Sequence, residues 1–424
     1  MNHPKMRFTY VGVDSHKDTH TAVFLDCFFD KLGEIVFDNL PSKFGAFLAD
    51  AEKLKQDGTE LLFGLEDTGE FGRTLTVFLT DSKQQVKHVN SYLVARERRN
   101  QNITQKTDSI DAECAARVLL SKFGELPVAD PQDKYWILRT LVVRRNQVVY
   151  NNTRSKMSLH NLLTQHYPNY RQFFVGTFGK TALAFFKKYP SPKTLENVTV
   201  EELADFFYDE SSGNIFGPGL SSIDRARLIF DTLQNTIVEF QEIRDETVRS
   251  TIRQIEFNVA ELECMQVTMA VYLDGLGCTL TSMAGIDVVS ACQILSCIGD
   301  VKRFPTPAKL ARYSGIAPVT HASGKKDYQF ANQRGNRELN SLFYNLAVRV
   351  SSPCGPNHKI INQFFYDYYH RKMSEGKTKR QALKCVQRRL VNIIWTMLTN
   401  GEEYVNPPVM DAPEKETKDE TKTG

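Results

Sequence analysis

Apolar runs of strand length open the chain. Arg7 to Val13 is rich in β-formers and ends at Asp14; after the polar turn Ser-His-Lys-Asp the pattern returns over Thr19 to Phe28 and again over Gly33 to Phe37. Leu61 to Leu65 and Gln85 to Val89 complete five predicted strands. Helical spacing marks Lys43 to Lys55, Gly72 to Asp81 and Asp111 to Lys122 between and after them.

The next pattern is longer. No Gly or Pro interrupts Gln132 to Tyr167, and Leu138, Leu141, Val142, Val148 and Val149 recur at helical spacing. This predicts one long helix, with Arg139, Arg144, Arg145, Arg154 and Lys156 lining parts of an exposed face. Ser221 to Asp274 reads as a second uninterrupted helix. Its seam of Val248, Ile252, Ile255, Val259, Leu262, Met269 and Leu273 steps by four and three, which fits a coiled coil and equally a hairpin with the first long helix. In Met283 to Asp300 one glycine turn opens a helix and another ends it, as in a phosphate-binding helix-hairpin-helix or an ordinary capped helix.

These elements divide the chain into an α/β domain over 1–128, a helical region over 129–274, a mainly helical domain over 275–404 and a tail over 405–424. A meander of three strands followed by βα units is an RNase H-like arrangement. The tail carries Pro407, Pro408 and repeated charges with no large apolar residue after Met410, so disorder is expected there.

Composition changes this picture only through its distribution. The net charge of +3 implies no partner by itself. Yet residues 131–190 hold ten Lys or Arg against Asp133 alone, residues 301–350 nine against Asp327 and Glu338, and residues 371–389 eight against Glu375. Three basic blocks with Tyr or Phe nearby fit a phosphate-binding surface. The eight cysteines form no CxxC pair and read as reduced core thiols. His16 and His20 are four apart but separated by a strand turn, which favours a solvated turn over a zinc site. No secretory signal precedes Met6, and no apolar stretch is long enough to span a bilayer, so a soluble cytoplasmic protein is expected.

The candidate chemistry lies in four acids and one serine. Asp14 and Glu66 close strands, and carboxylates at adjacent strand ends point into one crevice. Asp108 and Asp111 stand three apart in the first turn of a helix and share a face. Alone, that pair reads as an N-cap arrangement. With the strand-end acids it forms a set whose mutual repulsion calls for a cation, and Mg²⁺ prefers such oxygen ligands. Ser323-Gly324 is flanked by Lys325, Lys326, Arg334 and Arg337, which places a hydroxyl in a strongly positive loop; it is also a common turn dipeptide.

Taken together, Val-Gly-Val-Asp-Ser-His-Lys around Asp14, Gly-Leu-Glu-Asp-Thr-Gly around Glu66, Lys-Thr-Asp-Ser-Ile-Asp-Ala with Asp108 and Asp111, Gly-Ile-Ala-Pro at 315–318, Ser323-Gly324 and Arg-Gly-Asn-Arg at 334–337 occur in a specific order. In that order the chain resembles, from about Tyr10 to Met397, the DEDD-type transposases of the insertion sequence one-ten group, relatives of the Piv DNA invertase. The resemblance implies a RuvC-like RNase H fold carrying the acidic tetrad, a long helical region, and a domain whose Ser323 attacks a DNA phosphodiester. It implies Mg²⁺ on the tetrad, donor and target DNA as substrates, a bridge RNA as guide, and a homo-oligomer, dimer or tetramer. Asp67 stands where the family usually has Ala. The main rival is a RuvC-like nuclease or resolvase that uses water; a non-catalytic nucleic-acid-binding protein would gain nothing from four carboxylates near phosphate.

Overall fold

The computed structural model of the 424-residue chain describes residues 3–66, 70–130, 134–210, 220–233, 239–323, 326–330, 332, 335–355 and 358–406, with the backbone alone at 320–323, 326, 327 and 329. Asp67, Lys325, Arg334 and the tail from 407 onward lie outside them. The chain forms two compact units, 1–136 and 137–424.

In the first unit β1 (Phe8–Ser15), β2 (Thr19–Leu25) and β3 (Lys31–Asp38) form the antiparallel meander. Helix α1 (Pro41–Leu54) leads to β4 (Glu60–Leu65), α2 (Arg73–Asp81) to β5 (Gln85–His88), and α3 (Ser91–Asn100) and α4 (Asp108–Lys122) follow. The sheet order is β3-β2-β1-β4-β5, with β4 parallel to both β1 and β5. This mixed five-stranded α/β arrangement is compatible with an RNase H-like domain. Helix α3 is an element the apolar pattern does not predict, because Val94 is its one fully buried residue.

Side chains alternate across the pleat. Val11 and Val13 of β1 with Leu61, Phe63 and Leu65 of β4 pack against Phe44 and Phe47 of α1 and Leu75 and Leu79 of α2. Phe8 and Tyr10 with Leu62 turn the other way, onto Ala112, Ala115 and Ala116 of α4. Gly12 continues this second face. A methyl group there would collide with the Ala112 carbonyl oxygen and the Ala116 amide nitrogen and lie 2.9 Å from the Ala116 α-carbon. Its partner across the parallel ladder is Gly64, where a methyl would stand 2.8 Å from Val89 and 3.1 Å from Leu119. Two paired glycines thus let α4 lie directly on the sheet.

The second unit contains most of α5 (Lys134–His166), then α6 (Lys180–Lys188), α7 (Val200–Glu210) and α8 (Ser222–Thr232). Helix α9 (Gln241–Gly275) precedes α10 (Val288–Ile298) and α11 (Pro307–Tyr313). The hairpin β6 (Val319–Ser323) and β7 (Lys326–Phe330) leads to α12 (Arg337–Ser351), α13 (Gln363–Ser374) and α14 (Lys379–Asn400).

The long basic helix is present, but the predicted continuous helix from Ser221 to Asp274 is not. Helix α8 ends at Thr232, and Phe240 takes a left-handed φ of 59° before α9 begins. Val248, Ile252 and Ile255 are buried in one core with Leu159 and Leu163 of α5 and the aromatic residues of α6 and α7. The first part of the seam is therefore used inside the chain. Further along, Met269 and Leu273 are buried and Cys292 of α10 meets the Met269 carbonyl, whereas Val259 is 39% exposed. Around α10, Asp287 caps the Ser290 amide and Arg349 bonds the Gly285 carbonyl and Asp287. That helix is an ordinary capped one, its first-turn amide satisfied by the chain's own carboxylate.

Candidate active site

The pleat decides where the first acid points. Asp14 has the same parity as Tyr10 and Gly12, so it lies on the α4 side of the sheet, within β1 and paired with Thr21. The strand does not stop before this acid, as its apolar run suggests, but runs through it to Ser15. Glu66 follows Leu65, the partner of Val13, and so stands beside Asp14 at the neighbouring strand end.

Helix α4 brings the other two. Thr107, not Asp108, is the N-cap, its hydroxyl accepting from the Ile110 amide at 3.2 Å. Asp108 and Asp111 fall in the first turn as predicted, and the Gly12–Gly64 contact holds that turn over the strand ends. Asp14 and Asp111 are 13% and 10% exposed at the side chain, while Asp108 is 58% exposed.

The two acids at the strand ends are acted on first by burial and second by charge crowding. Burial, then the Asp108 and Asp111 charges, raise the Asp14 carboxyl above its ordinary value against the pull of His16. Burial, then Asp14 and Asp111, raise Glu66 against Lys106 and Arg98. Both groups hold protons more readily than free carboxylates, mainly because they are buried and secondly because other acids stand near them.

Three cationic or cation-forming groups attend the cluster. The Arg98 guanidinium of α3 bonds Asp111 Oδ1, and Lys106 Nζ lies 4.0 Å from Asp111 Oδ2. His16 Nε2 stands 3.1 Å from Asp14 Oδ2 and 3.3 Å from Asp108 Oδ1. Asp14, His16 and Asp108 offer ligand atoms within 4.8 Å of one another. A divalent ion fits this donor set, since two carboxylates and one imidazole nitrogen meet from a strand, a turn and a helix start, with Asp111 turned toward Arg98 and Lys106.

His16 and Arg98 are members of the cluster that the sequence pattern does not reveal. His16 sits in the expected turn and is half exposed, but Asn39 fixes that turn by donating to the His16 and Lys17 carbonyls at 3.2 Å each. His20 departs from the solvated-turn expectation differently: it is fully buried in β2 against Phe37 and Phe44, facing away from the acids. The one signal for Arg98 is a basic run, Arg-Glu-Arg-Arg, on a helix that the apolar pattern does not mark.

Ser323 belongs to the other unit. It is the last residue of β6, paired with Lys326 at the tip of the hairpin. The base of that hairpin is built from the two flanking motifs. Gly315 has φ +70°, and Gly335 packs on it backbone to backbone. Around this contact the Asn336 amide donates to the Tyr313 carbonyl at 2.7 Å, Asn340 Nδ2 to the Ser314 carbonyl at 2.8 Å and Asn332 Nδ2 to the Arg312 carbonyl at 2.9 Å. The glycines and asparagines near Ser323 thus close the hairpin's ends.

The basic positions of α5 divide. Arg144 and Arg154 are exposed, Arg154 over the Tyr150 ring. Arg139 is exposed too, but its Nε donates to the Ser296 carbonyl at 3.3 Å. Arg145 and Lys156 are only partly exposed, with Lys156 over Phe178. Arg337 is exposed at the start of α12.

Comparison with known proteins agrees with this layout. A DEDD-type family model from IS110, described as a transposase, matches residues 11–168, which include all four acids. The model of the transposase IS116/IS110/IS902 family matches residues 278–361, which include Ser323. The chain belongs to the IS110 family of transposases. It is 24% identical over 416 residues to the 44.8 kDa protein of insertion element IS116 from Streptomyces clavuligerus, covering 94% of this chain and 96% of that one. With the 42 kDa protein of insertion element IS900 from Mycobacterium paratuberculosis it shares 22% over 402 residues, 93% and 96% of the two chains. The pilin gene-inverting protein of Moraxella bovis is 28% identical over 127 residues, 30% of this chain and 37% of that protein. Membership of a transposase family makes DNA the substrate, and DEDD transposases are typically metal-dependent. Among the described residues no helix is long and apolar enough to cross a membrane.

Proposed function

We propose that this transposase cuts and rejoins donor and target DNA through Ser323, with Asp14, Glu66, Asp108 and Asp111 holding Mg²⁺ in a RuvC-like domain and a bridge RNA choosing the sites. The observation that carries the reading is the grouping of Asp14, His16 and Asp108 within reach of one ion, with Glu66 and Asp111 close enough to interact by charge with Asp14. Two paired glycines seat α4 over two strand ends, and although His16, Arg98 and Lys106 attend the acids there, the Asp14 and Glu66 carboxyls stay raised, a condition that a bound divalent ion would relieve. Mg²⁺ bound there supplies charge stabilisation at the phosphoryl oxygens.

The chain's own residues do the rest. Ser323 Oγ forms a bond to phosphorus as one phosphorus–oxygen bond of the DNA breaks; its proton passes to a tetrad carboxylate, and the departing oxygen takes a proton to become a free hydroxyl. Lys325, Lys326, Arg334 and Arg337 offset charge on the phosphorus centre. The basic residues of α5 that face solvent, Arg144 and Arg154, bind phosphates along the duplex. Ser323 and the tetrad belong to different units, and the proposed reaction calls both to one phosphodiester. The exposed apolar residues Phe257, Val267 and Val271 on α9 suit pairing of two copies, in keeping with a homo-oligomer.

The test is strand exchange between donor and target plasmids by the purified protein supplied with the RNA transcribed beside its reading frame. Joined products that require both the RNA and Mg²⁺ are expected. Cleavage to free ends with no joining would instead mark a nuclease that uses water.

A further inference from the structure

A cleft of 1040 Å³ opens in the second unit beside the base of the β6–β7 hairpin. One wall is α14, where Arg380, Lys384 and Arg388 follow one another in steps of four and share a face. Arg337, at the start of α12, adds a fourth cation. Among the described residues lining it there is no Asp or Glu. None of the four forms an ion pair within the chain among the described residues.

Arg337, Arg380 and Lys384 are open to solvent, and Arg388 is half-buried. Burial, and then the Arg380 charge, push the Lys384 ammonium below its ordinary value. One guanidinium nitrogen of Arg388 is buried without a hydrogen-bond acceptor among the described residues. Both conditions are relieved by an anion.

The rest of the lining has another character. Ile316 and Pro318, on the segment that enters β6, are apolar, and Tyr368 of α13 also lines the cleft. The Tyr368 ring is steadied by the Arg389 guanidinium at 5.1 Å and by Phe364 in a stacked arrangement. A cationic wall beside an apolar and aromatic one matches a nucleotide, with its phosphate on one side and its base on the other.

We propose that this cleft receives one unpaired nucleotide of the DNA strand that Ser323 attacks. An apolar wall is useful only to a base whose face is free of its stack. The choice of DNA over RNA comes from position. Pro318 is followed directly by β6, whose far end is Ser323, so a strand lying along β6 from the cleft reaches the serine within about 17 Å at about 3.3 Å per residue. The inference rests on Ser323 being the nucleophile.

The test uses the full chain carrying Ser323→Ala in EDTA, so that no chemistry occurs. Fluorescence anisotropy measures binding of a labelled 12-nucleotide single-stranded DNA, the same sequence as duplex, and the RNA equivalent. Adding Arg380→Gln and Arg388→Gln should weaken single-stranded DNA at least tenfold while changing duplex binding less than threefold. Arg380→Lys with Arg388→Lys, which keeps the charge, should restore most of the affinity and exclude misfolding as the cause. A 4-thiothymidine in the strand should crosslink to Tyr368 or to residues 316–318. Unchanged single-strand binding, an equal loss for duplex, or a larger loss for RNA than for DNA would each overturn the proposal. Failure of the serine chemistry is separate, because these binding measurements do not depend on it.

Discussion

Gly335 lies flat against Gly315: a methyl group at position 335 would overlap the amide nitrogen and α-carbon of Gly315 and stand 2.9 Å from the carbonyl carbon of Ser314. The contact joins the two ends of the hairpin that carries Ser323. Gly335→Ala should therefore force the ends apart, costing about 1–3 kcal/mol as overpacking does, and should reduce DNA joining more than DNA binding. Urea unfolding and strand exchange measured on the same variant check this. Wild-type stability together with wild-type joining would show that the contact is dispensable.

Protonation of Asp14 and Glu66 gives a pH dependence with a defined sign. Both carboxyls are raised in the fold, so the protonated forms are favoured there relative to the unfolded chain. Their contribution to metal-free stability is fully present below the unfolded values, about 4, and is lost as pH rises through the raised folded values. Thermal melting in EDTA should show this loss, and Asp14→Asn with Glu66→Gln should flatten it. Mg²⁺ at neutral pH should restore stability to the wild type and not to the double variant.

Arg98 neutralises part of the cluster through Asp111. Its replacement by Gln should lower metal-free stability by about 1–3 kcal/mol, the cost of leaving a partly buried carboxylate without its donor. The same change should enlarge the Mg²⁺-induced rise in melting temperature, since a competing cation is gone. A smaller rise would mean that Arg98 orients Asp111 for the metal.

Basic residues on α5 should separate by exposure. Arg144→Ala and Arg154→Ala are expected to weaken duplex DNA and to reduce the slope of log affinity against log salt by about 0.9 for each phosphate no longer neutralised. Arg145→Ala should act mainly on stability, because its Nε is buried. An unchanged salt slope in the first two would show that this face does not meet phosphate.

Periodic features of the fold and site are legible in the sequence, and the others are not. The strands and the first-turn acids Asp108 and Asp111 follow from alternation and helix onset, which local residues set. What unites them is not periodic: Gly12 and Gly64 are 52 positions apart, and only the parallel register makes them neighbours under α4. His16 reads as a plain turn residue because its partners Asp14 and Asp108 come from a strand end and a distant helix. The break before α9 carries no Gly or Pro at Phe240, so chain composition gives no sign of the left-handed residue there. The basic block at 371–389 is visible, yet its sorting into a cleft wall of Arg380, Lys384 and Arg388 requires α14 to pack beside the hairpin base.

The central claim is that Ser323 forms a bond to DNA, and peptide mapping of a trapped protein–DNA adduct tests it most directly. With the RNA, Mg²⁺ and a donor strand bearing a nick that prevents rejoining, the wild-type protein should yield a denaturation-resistant species whose phosphodiester lies on Ser323. Ser323→Ala should bind the same nucleic acids and form none. An adduct on any other residue, or full cleavage by Ser323→Ala, would contradict the account.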